Sequence, residues 1–101
     1  MNIPEAVKKV VLRIVPDSKI TLFGSRARGD AKSGSDWDFL VLTRQPLKEQ
    51  TKDLLIGAVY QEVELKADEV ISLVIFNEDE WVNHRYFTPL FLNIKEEGIS
   101  L

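Results

Sequence analysis

Asp36 and Asp38 stand one residue apart at the head of an apolar run, with Trp37 between them. Side chains alternate across a strand, so a strand here projects both carboxylates from one face and Trp37 from the other. Two carboxylates so placed repel each other and resist burial unless a cation sits between them. Oxygen donors suit Mg²⁺, which one or two carboxylates hold while substrate phosphates complete its shell. With ten residues between it and Asp36, the pair Gly24-Ser25 closes another apolar run. A short helix starting at Ser25 offers unpaired backbone amides and the positive end of a dipole. A glycine just before it lets an anion such as a phosphate come close. Gly-Ser alone also reads as a plain turn, and Asp-x-Asp alone as a solvated strand edge. Together, between two strand-like runs, they propose a phosphate and the metal that accompanies it.

These residues need elements to hold them. Residues 20–23 have strand composition and are cut off by Gly24; residues 25–30 read as one helical turn that Gly29 ends. Residues 36–42 form a second strand, apolar on both faces beyond the aspartates and therefore central. If Gly24-Ser25 and the Asp pair meet, these two strands are antiparallel. Ser33, Gly34 and Ser35 lead into the Asp pair, with Ser35 shaping the turn. Arg26 and Arg28 project about 200° apart on a helix, so they cannot both face one ligand. Arg28 can pair with Asp30, and Arg26 or Lys32 can reach a phosphate.

Around this centre, Ile3, Val7, Val10, Val11 and Ile14 give an N-terminal amphipathic helix, with Asn2 as its cap. Residues 47–65 give a longer one, weakened at Gly57 unless that glycine serves close packing. Residues 70–76 are a buried third strand, reached through a helix and so parallel to the second. Asn77 or Asp79 caps a short helix ending at His84, which is read as a surface residue without a catalytic role. Arg85, Tyr86 and Phe87 open the tail. Thr88-Pro89 begins a last helix, and Gly98 ends it. The aromatics between Trp81 and Phe91 fit a helix packed on the sheet, or a partner surface. The fold class expected is α/β (α+β): a small mixed three- to four-stranded sheet flanked by helices, as one domain over residues 1–101.

Composition narrows the function further. The chain has no cysteine and one histidine, so thiolate and multi-histidine metal sites are excluded. A net charge of −3 argues against a general nucleic-acid binder. No apolar stretch reaches membrane-spanning length and no signal segment is visible, which makes the cytoplasm the expected location.

Gly24-Ser25, ten intervening residues and Asp36-Trp37-Asp38 together resemble the signature of the DNA polymerase β-like nucleotidyltransferase superfamily. The wording Gly-Ser-Arg-Ala-Arg-Gly is similar to its smallest bacterial and archaeal members, the minimal nucleotidyltransferases. The resemblance implies transfer of a nucleoside monophosphate from a nucleoside triphosphate, ATP first among them, to a hydroxyl. It implies Mg²⁺ in a two-metal site, with Asp36 and Asp38 as catalytic metal ligands. Gly24, Ser25 and Arg26 are the implied phosphate-binding residues. It also implies a partner: a protein of the HEPN class offering a tyrosine, in a toxin–antitoxin pair, or else a homodimer.

The same resemblance exposes a departure. Superfamily members usually carry a third carboxylate on the neighbouring strand, which helps hold the metal and takes the hydroxyl proton. Here that segment reads Ile71-Ser72-Leu73-Val74, so Ser72 stands where the acid is expected. Serine is a poor Mg²⁺ ligand and no base near neutral pH. Asp68 or Glu69 could substitute if the strand register shifted; Glu62 and Glu64 lie further off. The alternative is therefore a catalytically impaired protein that binds nucleotide or partner and acts by sequestration.

Overall fold

The structure, a computed structural model, describes residues 1–84 and 88–101, with His84 described by its backbone only. The sequence readings of the His84 side chain and of Arg85, Tyr86 and Phe87 lie outside the described residues. Helix α1 (Ile3–Ile14) opens the chain, with the Asn2 side chain accepting the Glu5 amide at 3.1 Å. Strand β1 (Lys19–Phe23), the single turn α2 (Ser25–Arg28) and strand β2 (Trp37–Thr43) follow. Next comes α3 (Glu49–Val59), which runs on through a π-helical turn (Tyr60–Glu64) into α4 (Leu65–Ala67). Strand β3 (Ile71–Asn77), α5 (Glu78–His84), α6 (Pro89–Glu97) and β4 (Ile99–Ser100) complete the order.

The four strands lie in the order β3-β2-β1-β4. β2 is antiparallel to β1, with Phe23 opposite Asp38, and parallel to β3, with Asp38 opposite Ser72. The expected central place of β2 is thus observed, and so are both strand directions. The expected single long helix carries a π turn that periodicity did not show. β4 is an addition that sequence patterning missed: it pairs with β1 through Thr21 opposite Ser100 and Leu22 opposite Ile99.

Alternation assigns the faces. Ile20, Leu22, Phe39 and Val41 are buried against Val7, Val10 and Val11 of α1 and Leu55 and Val59 of α3. Gly57 does not serve close packing, since a Cβ there would meet open space. The other face carries Phe23 and Leu40, buried under Ile94 of α6, with Val74, Phe76, Trp81 and Leu90 at its margin. Trp81 lies between Phe76 and Phe91, tilted to both, at centroid distances of 5.6 and 5.3 Å, so these three aromatics seal α5 and α6 to the sheet. Asp38 and Ser72 share this second face by strand alternation. Among the described residues, no helix is long and apolar enough to cross a membrane.

Candidate active site

Gly24 joins the two halves of the motif. Its backbone sits at φ 77° and ψ −163°, a region essentially confined to glycine. A Cβ built there would collide with Asp38 Oδ2 and lie 3.3 Å from Asp38 Cγ. The turn that opens α2 therefore lies directly against the second aspartate. Gly24→Ala should cost about 1–3 kcal/mol from backbone strain alone, and its side chain should displace the Asp38 carboxylate. The expected result is a melting temperature lower by several degrees, with loss of any Mg²⁺-nucleotide stabilisation, read by thermal denaturation.

The short α2 leaves donors at this place. The Gly24 carbonyl accepts the Ala27 and Arg28 amides, both at 3.0 Å, while the Ser25 and Arg26 amides have no partner among the described residues. The lead-in to β2 is built as a turn. Ser35 Oγ accepts the Lys32 amide at 2.9 Å, and the Ser35 amide returns a bond to the Lys32 carbonyl at 3.0 Å.

The two arginines separate, as helical geometry requires. Arg26 turns to the Trp37 side: it lies over the indole at 4.6 Å, donates to the Ser35 carbonyl at 3.1 Å and approaches Glu69 at 3.7 Å. These contacts use Nε and Nη2, and Nη1 makes no bond among the described residues. Arg28 pairs with Asp30 at 3.2 Å, as its spacing suggested, and also with Glu97 at 3.0 Å. Glu97, which the sequence did not single out, accepts the Gly24 amide at 3.0 Å as well. The only advance signal was an acidic residue just before Gly98, at the end of the last helix.

Electrostatics sets Asp38 apart. Burial pushes its carboxyl above the usual aspartate range, the Asp36 charge pushes the same way, Arg28 opposes and Glu97 adds a further rise. Asp36 is exposed. A carboxylate under this pressure suits a cation between it and its neighbour. Among the described residues there is no group of three or more acidic or histidine side chains able to hold a metal. The pair thus fits an ion whose remaining ligands come from phosphate and water, as Mg²⁺ accepts.

The third-carboxylate position is fixed by register. Ser72 lies opposite Asp38 with no slip. Three of the four candidate substitutes are engaged elsewhere: Glu69 faces Arg26, Glu64 accepts the Ile71 amide at 2.6 Å, and Glu62 is held by Arg13 of α1.

A Gly-led turn at the end of one strand is set against an Asp-x-Asp at the start of its antiparallel neighbour, in a mixed sheet flanked by helices, as in the nucleotidyltransferase fold. The chain belongs to the nucleotidyltransferase domain family, whose profile matches residues 4–97. It is 37% identical over 82 residues to a candidate protein adenylyltransferase of Methanocaldococcus jannaschii, a match covering 77% of this chain and 80% of that one. It is 39% identical over 49 residues to the probable protein adenylyltransferase MntA of Haemophilus influenzae. That second match covers 48% of this chain and only 43% of MntA.

Solved structures agree on the fold. A toxin–antitoxin crystal structure with AMP-PNP superposes with a TM-score of 0.66 at 22% identity, covering 99% of this chain and 72% of that one. A structure of a tri-AMPylated Shewanella oneidensis HEPN toxin in complex with MNT antitoxin gives 0.59 at 19% identity, covering 97% and 67%.

Proposed function

We propose that this protein transfers AMP from ATP, with Mg²⁺, to a hydroxyl on a partner protein. The observation that supports this reading is the close approach of the Gly24 turn to Asp38, the turn being read as the phosphate cradle and the carboxylate as the cation ligand. The relatives' names, protein adenylyltransferase, support AMP as the transferred group and a protein as its acceptor. The AMPylated HEPN toxin of the structural neighbour supports a HEPN-class partner; tyrosine as the hydroxyl is what the superfamily resemblance implies. A second copy of this chain is the other candidate to complete the site.

The residues would divide the work as follows. The Ser25 amide and hydroxyl, with the Gly24 turn, cradle the terminal phosphates. Asp36 and Asp38 hold Mg²⁺, which when bound neutralises charge on the phosphate oxygens and aligns the reacting groups. The acceptor oxygen forms a bond to the α-phosphorus, the bond to the bridging oxygen breaks, and pyrophosphate leaves with that electron pair. The hydroxyl proton passes to solvent or to the partner, because Ser72 cannot take it.

The serine opposite Asp38 favours one second reading: a protein that binds nucleotide or partner and acts by sequestration with little turnover. Two measurements separate the readings. ATP with Mg²⁺ at one hundred times its dissociation constant should add about 2.7 kcal/mol, raising the melting temperature by roughly 10 °C or more for a domain this size. Absence of any shift would overturn both nucleotide readings. With a shift in hand, α-labelled ATP and a HEPN-class partner should give a labelled partner. A shift without label on any protein would leave sequestration.

A further inference from the structure

Glu97 is the last residue of α6, yet its carboxylate lies in the nucleotide site, 73 positions along the chain from Gly24. Its side chain is only 15% exposed, which for a charged group requires partners. It has them. Oε1 accepts the Gly24 amide at 3.0 Å, and Arg28 Nη1 spans both oxygens at 3.2 and 3.0 Å. The placement follows from the sheet edge. Continuing the β1–β4 register two residues beyond Leu22 and Ile99 brings Glu97 opposite Gly24. The chain has by then turned into α6, so a side chain supplies the acceptor that a strand backbone would have offered. Gly98 permits this close approach, since a Cβ there would collide with the Ile94 carbonyl and lie 2.8 Å from Thr21 Cγ2.

Arg28 is the group this arrangement controls. Glu97 joins it to the Gly24 amide, and Gly24 lies against Asp38, so the guanidinium sits on the Asp38 side of the turn and its charge acts on that carboxylate. An arginine released beside two carboxylates would pair with them and take the place a cation needs. Glu97 and Asp30 hold it away, bonding Nη1 and Nε; Nη2 makes no bond among the described residues and remains available to a phosphate oxygen. We infer that Glu97 is a positioning residue of the nucleotide site, holding Arg28 off the Asp36–Asp38 pair and turned toward the phosphates while tying down the Gly24 turn. This rests on the nucleotidyltransferase reading above.

The test is Mg²⁺-ATP binding by calorimetry, at several Mg²⁺ concentrations, for the parent, Glu97→Ala, Glu97→Gln, Arg28→Ala and the Glu97→Ala/Arg28→Ala double variant. Glu97→Ala should weaken binding roughly tenfold at low Mg²⁺, the scale of one charge-assisted hydrogen bond. Excess Mg²⁺ should recover most of that loss by outcompeting the released guanidinium. The double variant should bind no worse than Arg28→Ala and need no excess Mg²⁺, because the competitor is gone; such non-additivity marks a shared network. Glu97→Gln keeps an acceptor for Gly24 at the same volume and should fall between parent and Glu97→Ala. A tie serving only to fasten α6 would instead lower the melting temperature of every Glu97 variant without Mg²⁺-dependent recovery, and that result overturns the inference. Parent-like binding by Glu97→Ala overturns it too, leaving the nucleotide reading intact. A parent that does not bind Mg²⁺-ATP overturns both.

Discussion

Asp38→Asn is expected to abolish transfer and, in the nucleotide-free protein, to raise the melting temperature. The two effects have one cause. Asp38 is partly buried beside Asp36, with Glu97 adding a like charge, and its carboxyl is pushed above the usual range. A carboxyl with a raised folded-state pKa contributes stability below its unfolded value, about 4, and loses it as pH rises through the folded value. At neutral pH the ionised group therefore weakens the empty fold. An amide of the same shape removes that penalty, so the variant should melt higher at pH 7. The advantage should disappear as pH falls below about 4, where the parent carboxyl is protonated in both states.

Addition of Mg²⁺-ATP should reverse the ranking, because only the parent pair can hold the cation. Loss of several kcal/mol of phosphate-charge stabilisation corresponds to about 10³-fold or more in rate. Asp36→Asn should lose transfer similarly but gain less stability, since Asp36 is exposed. The measurements are melting curves between pH 3 and 8 and label transfer to the partner. A metal-free Asp38→Asn that melts below the parent at pH 7 would show that the carboxylate supports the fold, and would remove the argument that this site awaits a cation.

The parts of this molecule that side-chain pattern encodes were legible in its sequence. Burial of Ile3, Val7, Val10 and Val11 follows helical spacing, and the alternation through Trp37, Asp38, Phe39 and Leu40 fixes both faces of β2. Antiparallel β1–β2 pairing followed from requiring Gly24 and Asp38 to meet. What sequence did not show depends on backbone or on distant contacts. β4 is two residues long and exposed, joined to β1 by ladder bonds that any residue type can make. The π turn within the long helix leaves the apolar spacing of Leu55, Val59 and Val63 intact, so no break in pattern announces it. Nothing local in the sequence says that α6 delivers Glu97 to Gly24. Arg26 and Arg28 were correctly seen as divergent. Which of them faces Asp38 depends on the seat Arg26 finds over Trp37.

Ser72→Asp should raise the rate of transfer by about 10²–10⁴, the usual worth of a general base. Parallel pairing sets residue 72 beside Asp38 on the same face, and neighbouring strands lie about 4.8 Å apart. A carboxylate at that position can therefore share the cation with Asp38 and accept the hydroxyl proton. Room and solvent permit it: β3 is an edge strand, and Ser72 is only half-buried. Without metal, a third like charge should lower the melting temperature; Mg²⁺ should restore it, and by more than it stabilises the parent. Ser72→Asn has nearly the same volume but no base, and should leave the rate near the parent's. The pair of variants thus separates chemistry from packing. A large gain over a slow parent would mean that the native serine holds turnover down, which is the condition under which sequestration becomes the protein's main action. An unchanged rate with normal Mg²⁺-ATP binding would mean that the proton already leaves by another route, and the partner's own side chains would be the place to look for it.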